Sequence, residues 1–451
     1  MQIQLANLSS RTIAPPAPGR AAAGPDIFAW TNRRGIFLPL TFILSAISWL
    51  FLGLALLAVR PEILASYHYN QYVIATTHVF TLGWITSVIM GATYQLVPVA
   101  LQAKLHSVRL AWVQLGLHVI GVGGLVWNFW RWDMTKVSAF GCVLTVGAAL
   151  FVYNVGRTIA KTRSWNPVAI AIAAALAWFS ATVLAGLAIA VGKAGGSNFF
   201  APLAQMHAHA HLGVIGFFLM IIVGVSLKLV PMFALSEIQN NRRATLSLVL
   251  LNAGLAMLAL TILFQAIAKP LAVLIVLVGL GLYLVEMRAI LRARKRRVLD
   301  LALKTFLAGL ALLVPTAVVG LLLSWPTVPL NEITGRFENA YGLLAIVGVV
   351  TLAIVGMLHK ILPFLIWYGA YSTEIGRSKV PTLADLYSAR LQRVGLAVFG
   401  CGLGLTMAGT VLADETVVRV ACVVLSASFV LFAVNVLKML RHLVHPQTQP
   451  L

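Results

Sequence analysis

Along this chain apolar residues come in unbroken runs of about twenty, parted by short polar or basic stretches, with no apolar/polar alternation inside a run. A helix of that length rises ~30 Å, the depth of a bilayer's hydrocarbon layer, whereas a barrel strand would alternate with a period of two. In lipid the backbone N–H and C=O groups can pair only with one another, so such runs predict helices that cross a membrane. Twelve are expected, over residues 36–59, 71–98, 109–128, 137–157, 167–191, 203–231, 244–266, 271–290, 301–324, 340–367, 390–411 and 416–439. The expected fold class is an all-α integral membrane protein.

A ruler repeated inside the pattern orders the twelve. His211 precedes Pro231 by twenty residues, with Gly216 and Gly224 five and thirteen residues along. His78 precedes Pro98 by the same distance, with Gly83 and Gly91 at the same offsets. A third copy ends at Pro363, carries Gly348 and Gly356, and has Leu343 where the others have histidine. The copies fall on helices 2, 6 and 10, so the spans divide into three four-helix arcs, about 36–157, 167–290 and 301–439, in pseudo-threefold order. They form one membrane domain, 36–440, between an Ala/Pro-rich tail over residues 1–35 and a basic tail over 441–451. The first tail has no apolar stretch that a signal peptidase could use, and its composition predicts disorder.

Charge adds orientation. Only 10% of the 451 residues are charged against 60% apolar, yet the net charge is +21. With the first tail in the cytoplasm, only Arg60, Arg131, Lys136, Lys193, Lys269, Arg336 and Arg419 of the 33 Lys and Arg fall outside. Cationic loops resist translocation, so both tails are expected in the cytoplasm, with the chain in a bacterial inner membrane. The basicity then reports topology and attraction to anionic headgroups, and it gives no argument for a nucleic-acid partner.

Candidate chemistry is concentrated in histidine. His207, His209 and His211 open helix 6; at 100° per residue the first and last share a face and His209 lies nearly opposite. Neutral imidazole is the commonest protein metal ligand, so histidine at the same height in two copies of the repeat points to ligation. His118 in helix 3 and Asn252 in helix 7 are intramembrane polar groups, each either functional or bonded to a neighbouring helix. His359, beside Lys360 near an inner helix end, is expected at the interface. Cys142, Cys401 and Cys422 lie singly, without metal or redox spacing, as small buried residues. No phosphate-binding loop, catalytic carboxylate pair or nucleophile triad is present, which excludes the soluble-enzyme classes those motifs define.

The segments Thr-His78-Val-Phe-Thr-Leu-Gly-Trp84 and His209-Ala-His211-Leu-Gly213, on helices four apart in a twelve-helix chain, resemble histidine-led helix starts of the haem-copper oxidase catalytic subunit. The likeness is nearest the C-type branch and, more loosely, the NnrS family of haem- and copper-containing membrane proteins. It implies a haem axial ligand at His78 and a copper ligand among His207, His209 and His211. It also implies a histidine pair on helix 7 and two histidines on helix 10. Helix 7 has none, and Tyr341 and Leu343 stand at the helix 10 positions. No acid sits in the middle of a span to begin a proton path, so a standard proton-pumping oxidase is not expected. What the resemblance leaves is one haem b with His78 and His211 as axial ligands, and copper or another metal at His207 or His209. The function expected is electron transfer or diatomic-gas handling, as an oxidoreductase-like protein served by an electron-donor protein or a quinol. The alternative is a transition-metal-binding transporter or sensor-like bundle without haem.

Overall fold

The computed structural model describes residues 35–162, 165–197 and 200–450. The tail expected to be disordered lies, but for Gly35, outside the described residues. Among the described residues twelve helices are long and apolar enough to cross a membrane: α1 Phe37–Val59, α2 Gln71–Leu101, α3 Val108–Arg131, α4 Met134–Ile159, α5 Pro167–Ala194, α6 Pro202–Ala234, α7 Asn241–Leu263, α8 Lys269–Arg292, α9 Leu301–Leu323, α10 Glu332–Tyr371, α11 Ala389–Leu412 and α12 Glu415–Val444. The protein is an all-α, multi-pass membrane protein. Its outer faces are apolar, as on α3, where exposed Val113, Ile120 and Trp127 recur every seventh residue.

The helix starts follow side-chain caps. Asn70, Ser107, Asp133, Asn166, Asn240, Asp300, Asn331, Ser388 and Asp414 each accept a hydrogen bond from a first-turn backbone N–H. The Asn331 cap starts α10 well before the expected residue 340, because a polar turn can be helical once its N–H groups are satisfied. This brings Glu338 and Asn339 into the helix that carries Tyr341.

In every arc the first helix packs on the second and the third on the fourth, while α4 lies against α5 and α12 returns onto α1. The second helices, α2, α6 and α10, meet at the centre. Close approach within an arc rests on glycine. A Cβ at Gly83 would lie 2.7 Å from Trp49 Cβ of α1, and one at Gly216 would lie 2.7 Å from Trp178 Cβ of α5. The next ruler glycines, Gly91 and Gly224, sit on Phe42 and Ala171 in the same two helices, seven residues before those tryptophans. Gly356 rests on the backbone of Phe306 in α9. Small residues at such contacts let helices approach where the hydrophobic effect between them is weak.

Two features of the repeat emerge only in three dimensions. Immediately after His78, His211 and Leu343 each central helix widens into an eight-residue π-helical segment, Val79–Thr86, Leu212–Leu219 and Leu344–Thr351. Such segments shift the phase of everything downstream and are frequent at functional sites. In α2 the shifted carbonyls are taken up by side chains: Thr86 Oγ1 donates to Thr81 O and Ser87 Oγ to Leu82 O. The second feature is a clamp. A buried residue on the fourth helix of each arc, Asn154, Glu286 or Asn435, accepts from the backbone N–H of the residue capping the third helix.

The chain departs from expectation at several places. The ruler prolines do not end their helices: α2 and α6 run three residues further and close on left-handed Gln102 and Leu235, and α10 continues to Tyr371. That extension carries His359 away from the interface, into a buried site against Phe432 and Tyr387, where Nδ1–H donates to Val355 O. Cys422 is buried, but Cys142 and Cys401 are exposed on the outer faces of their helices. The end of the chain folds back, with Gln447 N–H donating to Tyr371 Oη and a two-residue pairing of Ser378–Lys379 with Gln449–Pro450.

Candidate functional site

At the end of the bundle where α2, α6 and α10 begin, the three arcs enclose an apolar-lined cavity of about 1080 Å³. That is at or above the upper end of ordinary ligand sites, ~300–1,000 Å³. Five of the ten histidines line it: His68, His78, His207, His209 and His211.

The cavity histidines are sorted by the pseudo-threefold arrangement. A residue at the head of the ruler on one central helix faces the residue two before the head on the next. His78 of α2 faces His209 of α6, ring centres 6.4 Å apart and planes within 18°. His211 of α6 faces Tyr341 of α10, ring centres 6.0 Å apart and planes within 27°. At the third junction the corresponding residues are Thr76 and Leu343, and Leu343 packs in an apolar cluster with Val73 and Phe80 of α2. The partner expected for His78 was His211; the structure puts His209 there. Two residues along a helix is ~200°, so His211 looks toward α10 while His209 looks toward α2 and α5.

The protonation of this pair follows from its hydrogen bonds. His78 Nδ1 lies 2.7 Å from Ile74 O, and His209 Nδ1 lies 3.0 Å from Thr182 O. A carbonyl only accepts, so both rings carry their proton on Nδ1 and keep a lone pair on Nε2. Among the described residues no hydrogen bond engages either Nε2, and both rings line the cavity. His209 packs against α5 at Gly186, where a Cβ would come within 2.8 Å of its Cε1. Phe129 packs on His78, ring centres 4.9 Å apart. Two imidazole nitrogens on opposite sides of one ion, at about 2.0–2.1 Å each, would lie ~4 Å apart with ring centres ~6 Å apart. The 6.4 Å between ring centres is compatible with both residues holding one metal centre in that way.

His207, one of the two residues expected to hold copper or another metal, lies on the other face of α6 from His209. Its Nε2 is 3.1 Å from Nε2 of His68, a residue of the α1–α2 connection that no sequence signal singled out. Glu338 Oε2 is 3.7 Å from the same His68 atom. Burial, offset in part by the hydrogen bond to Asn339, holds the His68 imidazole below the ordinary histidine range, so the ring is neutral at pH 7.

His118 and Asn252 lie outside the cavity and hold helices together. His118 Nε2 is 3.0 Å from Ser87 Oγ and 3.2 Å from Leu82 O, bracing the π-helical segment that follows His78. Asn252 Oδ1 accepts from Trp178 Nε1 at 2.6 Å, and its Nδ2 donates to Leu248 O. Lys193 stands at the cavity margin, donating to Tyr69 Oη and lying over the rings of Tyr69 and Trp132.

Fold and site define a multi-pass helical membrane protein with a histidine-lined chamber at the junction of three repeats. No protein-family model matches the chain, and no curated protein matches it.

Proposed function

We propose that this chain is a haem-binding electron-transfer protein of the membrane, with His78 and His209 as axial ligands of one b-type haem between the first and second arcs. The carrying observation is the facing pair itself: near-parallel rings, 6.4 Å apart, each with its Nδ1–H bonded to a carbonyl and both residues lining an apolar cavity. Bis-histidine haem in a low-dielectric pocket supplies reversible one-electron chemistry, its potential set by ligands and burial. The protein's part is to fix both imidazoles through Ile74 and Thr182 carbonyls, exclude water with Phe129 and the apolar lining, and offer the Lys193 ammonium to a propionate. The Tyr341 and His211 groups approach to 3.5 Å, closer than two ligands across one ion, so a single haem per chain is the expected load.

The proposal includes descent from the haem-copper oxidase scaffold, supported by the threefold helix repeat and the histidine-led starts of α2 and α6. Asn252, bonded to Trp178, occupies the interior of α7, where the oxidase copper site would need histidines. Oxygen reduction and proton pumping are therefore excluded from the proposal. The Lys/Arg distribution supports an outer position for the chamber, in reach of an electron-donor protein or a quinol.

The test is a dithionite-reduced minus oxidised visible spectrum of purified protein, with carbon monoxide addition and iron analysis. Sharp b-type bands at about one iron per chain, unmoved by carbon monoxide, are the expected result. A carbon monoxide shift would mean an open iron and assign the chain to gas handling. No haem in cells supplied with it would sink the reading.

Gly186→Val gives an independent check. A branched side chain there drives into His209 without touching either ligand's chemistry, so haem content should fall while the same change at Gly281, outside the cavity lining and with open space around it, leaves haem in place.

A further inference from the structure

We propose that His68, His207 and Glu338 form a binding site for one divalent first-row transition ion, separate from the haem and built from one residue of each arc. His68 lies in the α1–α2 connection, His207 in the first turns of α6, and Glu338 near the start of α10. Their ligand atoms all lie within 4.8 Å of one another. Two imidazoles and a carboxylate are a donor set that zinc and copper(II) both accept, and a tetrahedral ion with bonds of about 2.0–2.1 Å sets its ligand atoms ~3.3 Å apart. The two His68 contacts, 3.1 Å to His207 Nε2 and 3.7 Å to Glu338 Oε2, bracket that spacing.

An outer partner orients the first ligand. Asn339 Nδ2 donates to Ser66 O at 2.6 Å, which turns its Oδ1 toward His68 Nδ1 at 3.2 Å. A side-chain carbonyl only accepts, so His68 carries its proton on Nδ1 and aims the Nε2 lone pair at His207 and Glu338. Metal-bound histidines are held in this way by a hydrogen bond on the other ring nitrogen. No hydrogen bond engages His207 Nδ1 among the described residues, so its proton can sit there and leave Nε2 to ligate.

Charge argues the same way. Glu338 is three-quarters buried, and its carboxylate lies 3.7 Å from His68 Nε2. Lys269 lines the same cavity, with no ion pair to Glu338 among the described residues. A partly buried carboxylate facing two imidazoles is stabilised by a cation among them. Because the three residues come from three arcs, an ion here would also tie the arcs together at the pseudo-threefold axis.

The proposal stands without the haem, and its test reads the two separately. Purified full-length protein in detergent is stripped with EDTA, desalted, incubated with copper(II) or zinc(II), desalted again and analysed for metal, with the visible spectrum recorded throughout. Wild type should retain one ion beyond haem iron, and copper(II) should show nitrogen hyperfine structure from two imidazoles in its electron paramagnetic resonance. His68→Leu and the isosteric Glu338→Gln should each weaken retention by at least ~100-fold, and Asn339→Leu by ~10–100-fold. Haem bands should be unchanged in all three. Wild type that retains no ion, or both ligand variants retaining a full one, would overturn the site. Loss of the haem bands in wild type counts against the haem reading alone and leaves the ion count standing.

Discussion

Replacing His78 or His209 by alanine should remove the b-type spectrum, and replacing His211 should leave it. All three are cavity histidines, and the ruler makes His78 and His211 equivalent, so sequence symmetry predicts that those two behave alike. The structure separates them. All three Nδ1–H groups are bonded to carbonyls, but His78 and His209 face each other at 6.4 Å, whereas His211 faces Tyr341. Loss of one axial ligand should lower haem content by at least ~10-fold, since loss of even an outer partner commonly has that effect. Any haem that remains should become carbon monoxide-reactive, because its iron has an open position. Pyridine haemochrome assay and carbon monoxide difference spectra of the three variants settle the pairing. Loss of haem from His211→Ala together with retention in His209→Ala would reverse the assignment.

Glu286→Ala should be the most destabilising single change outside the chamber. The Glu286 side chain is fully buried, and it holds four groups at the basic end of the bundle: the N–H groups of Gln239 and Asn240 at 2.7 and 3.0 Å, and Arg243 Nε and Nη2. Removing it leaves a three-quarters-buried guanidinium and two helix-start donors without an acceptor. Breaking a buried pair in this way costs about 3–5 kcal/mol. Glu286→Gln keeps an acceptor for the backbone and loses the charge, so its loss should be about 1–3 kcal/mol. The midpoint of thermal unfolding in detergent should order wild type above Glu286→Gln above Glu286→Ala, with haem retained in all three below the transition. An alanine variant melting with wild type would show that the clamp contributes nothing. Asn154 and Asn435 fill the same post with a neutral amide, each also donating back to the capping residue's carbonyl. Glu286 differs because its arc adds an arginine, so this acid serves packing.

What the sequence determined by itself is the class and the frame. Runs of twenty apolar residues leave only helices, and the ruler of His78, His211 and their glycines and prolines marks α2, α6 and α10 as equivalent. Both follow from local chemistry, namely the backbone's need for partners in lipid and the fixed rise of a helix. The missed start of α10 had a local signal too, since Asn331 is a cap residue, but the polar turn after it masked the helix.

Only the tertiary structure decided who faces whom. Periodicity on α6 divides His207 and His211 from His209, but it is silent on which neighbouring arc each face meets. That choice depends on how four-helix arcs pack and on the π-helical phase shift after each ruler head. His68 and Glu338 lie 139 and 131 positions from His207 in the chain, and no spacing rule joins residues brought together by the closure of three arcs. Packing within single arcs turned Glu286, Asn252 and His118 from polar residues within apolar spans into fixed contacts between helices, because a buried polar group is stable only with the partner that packing supplies.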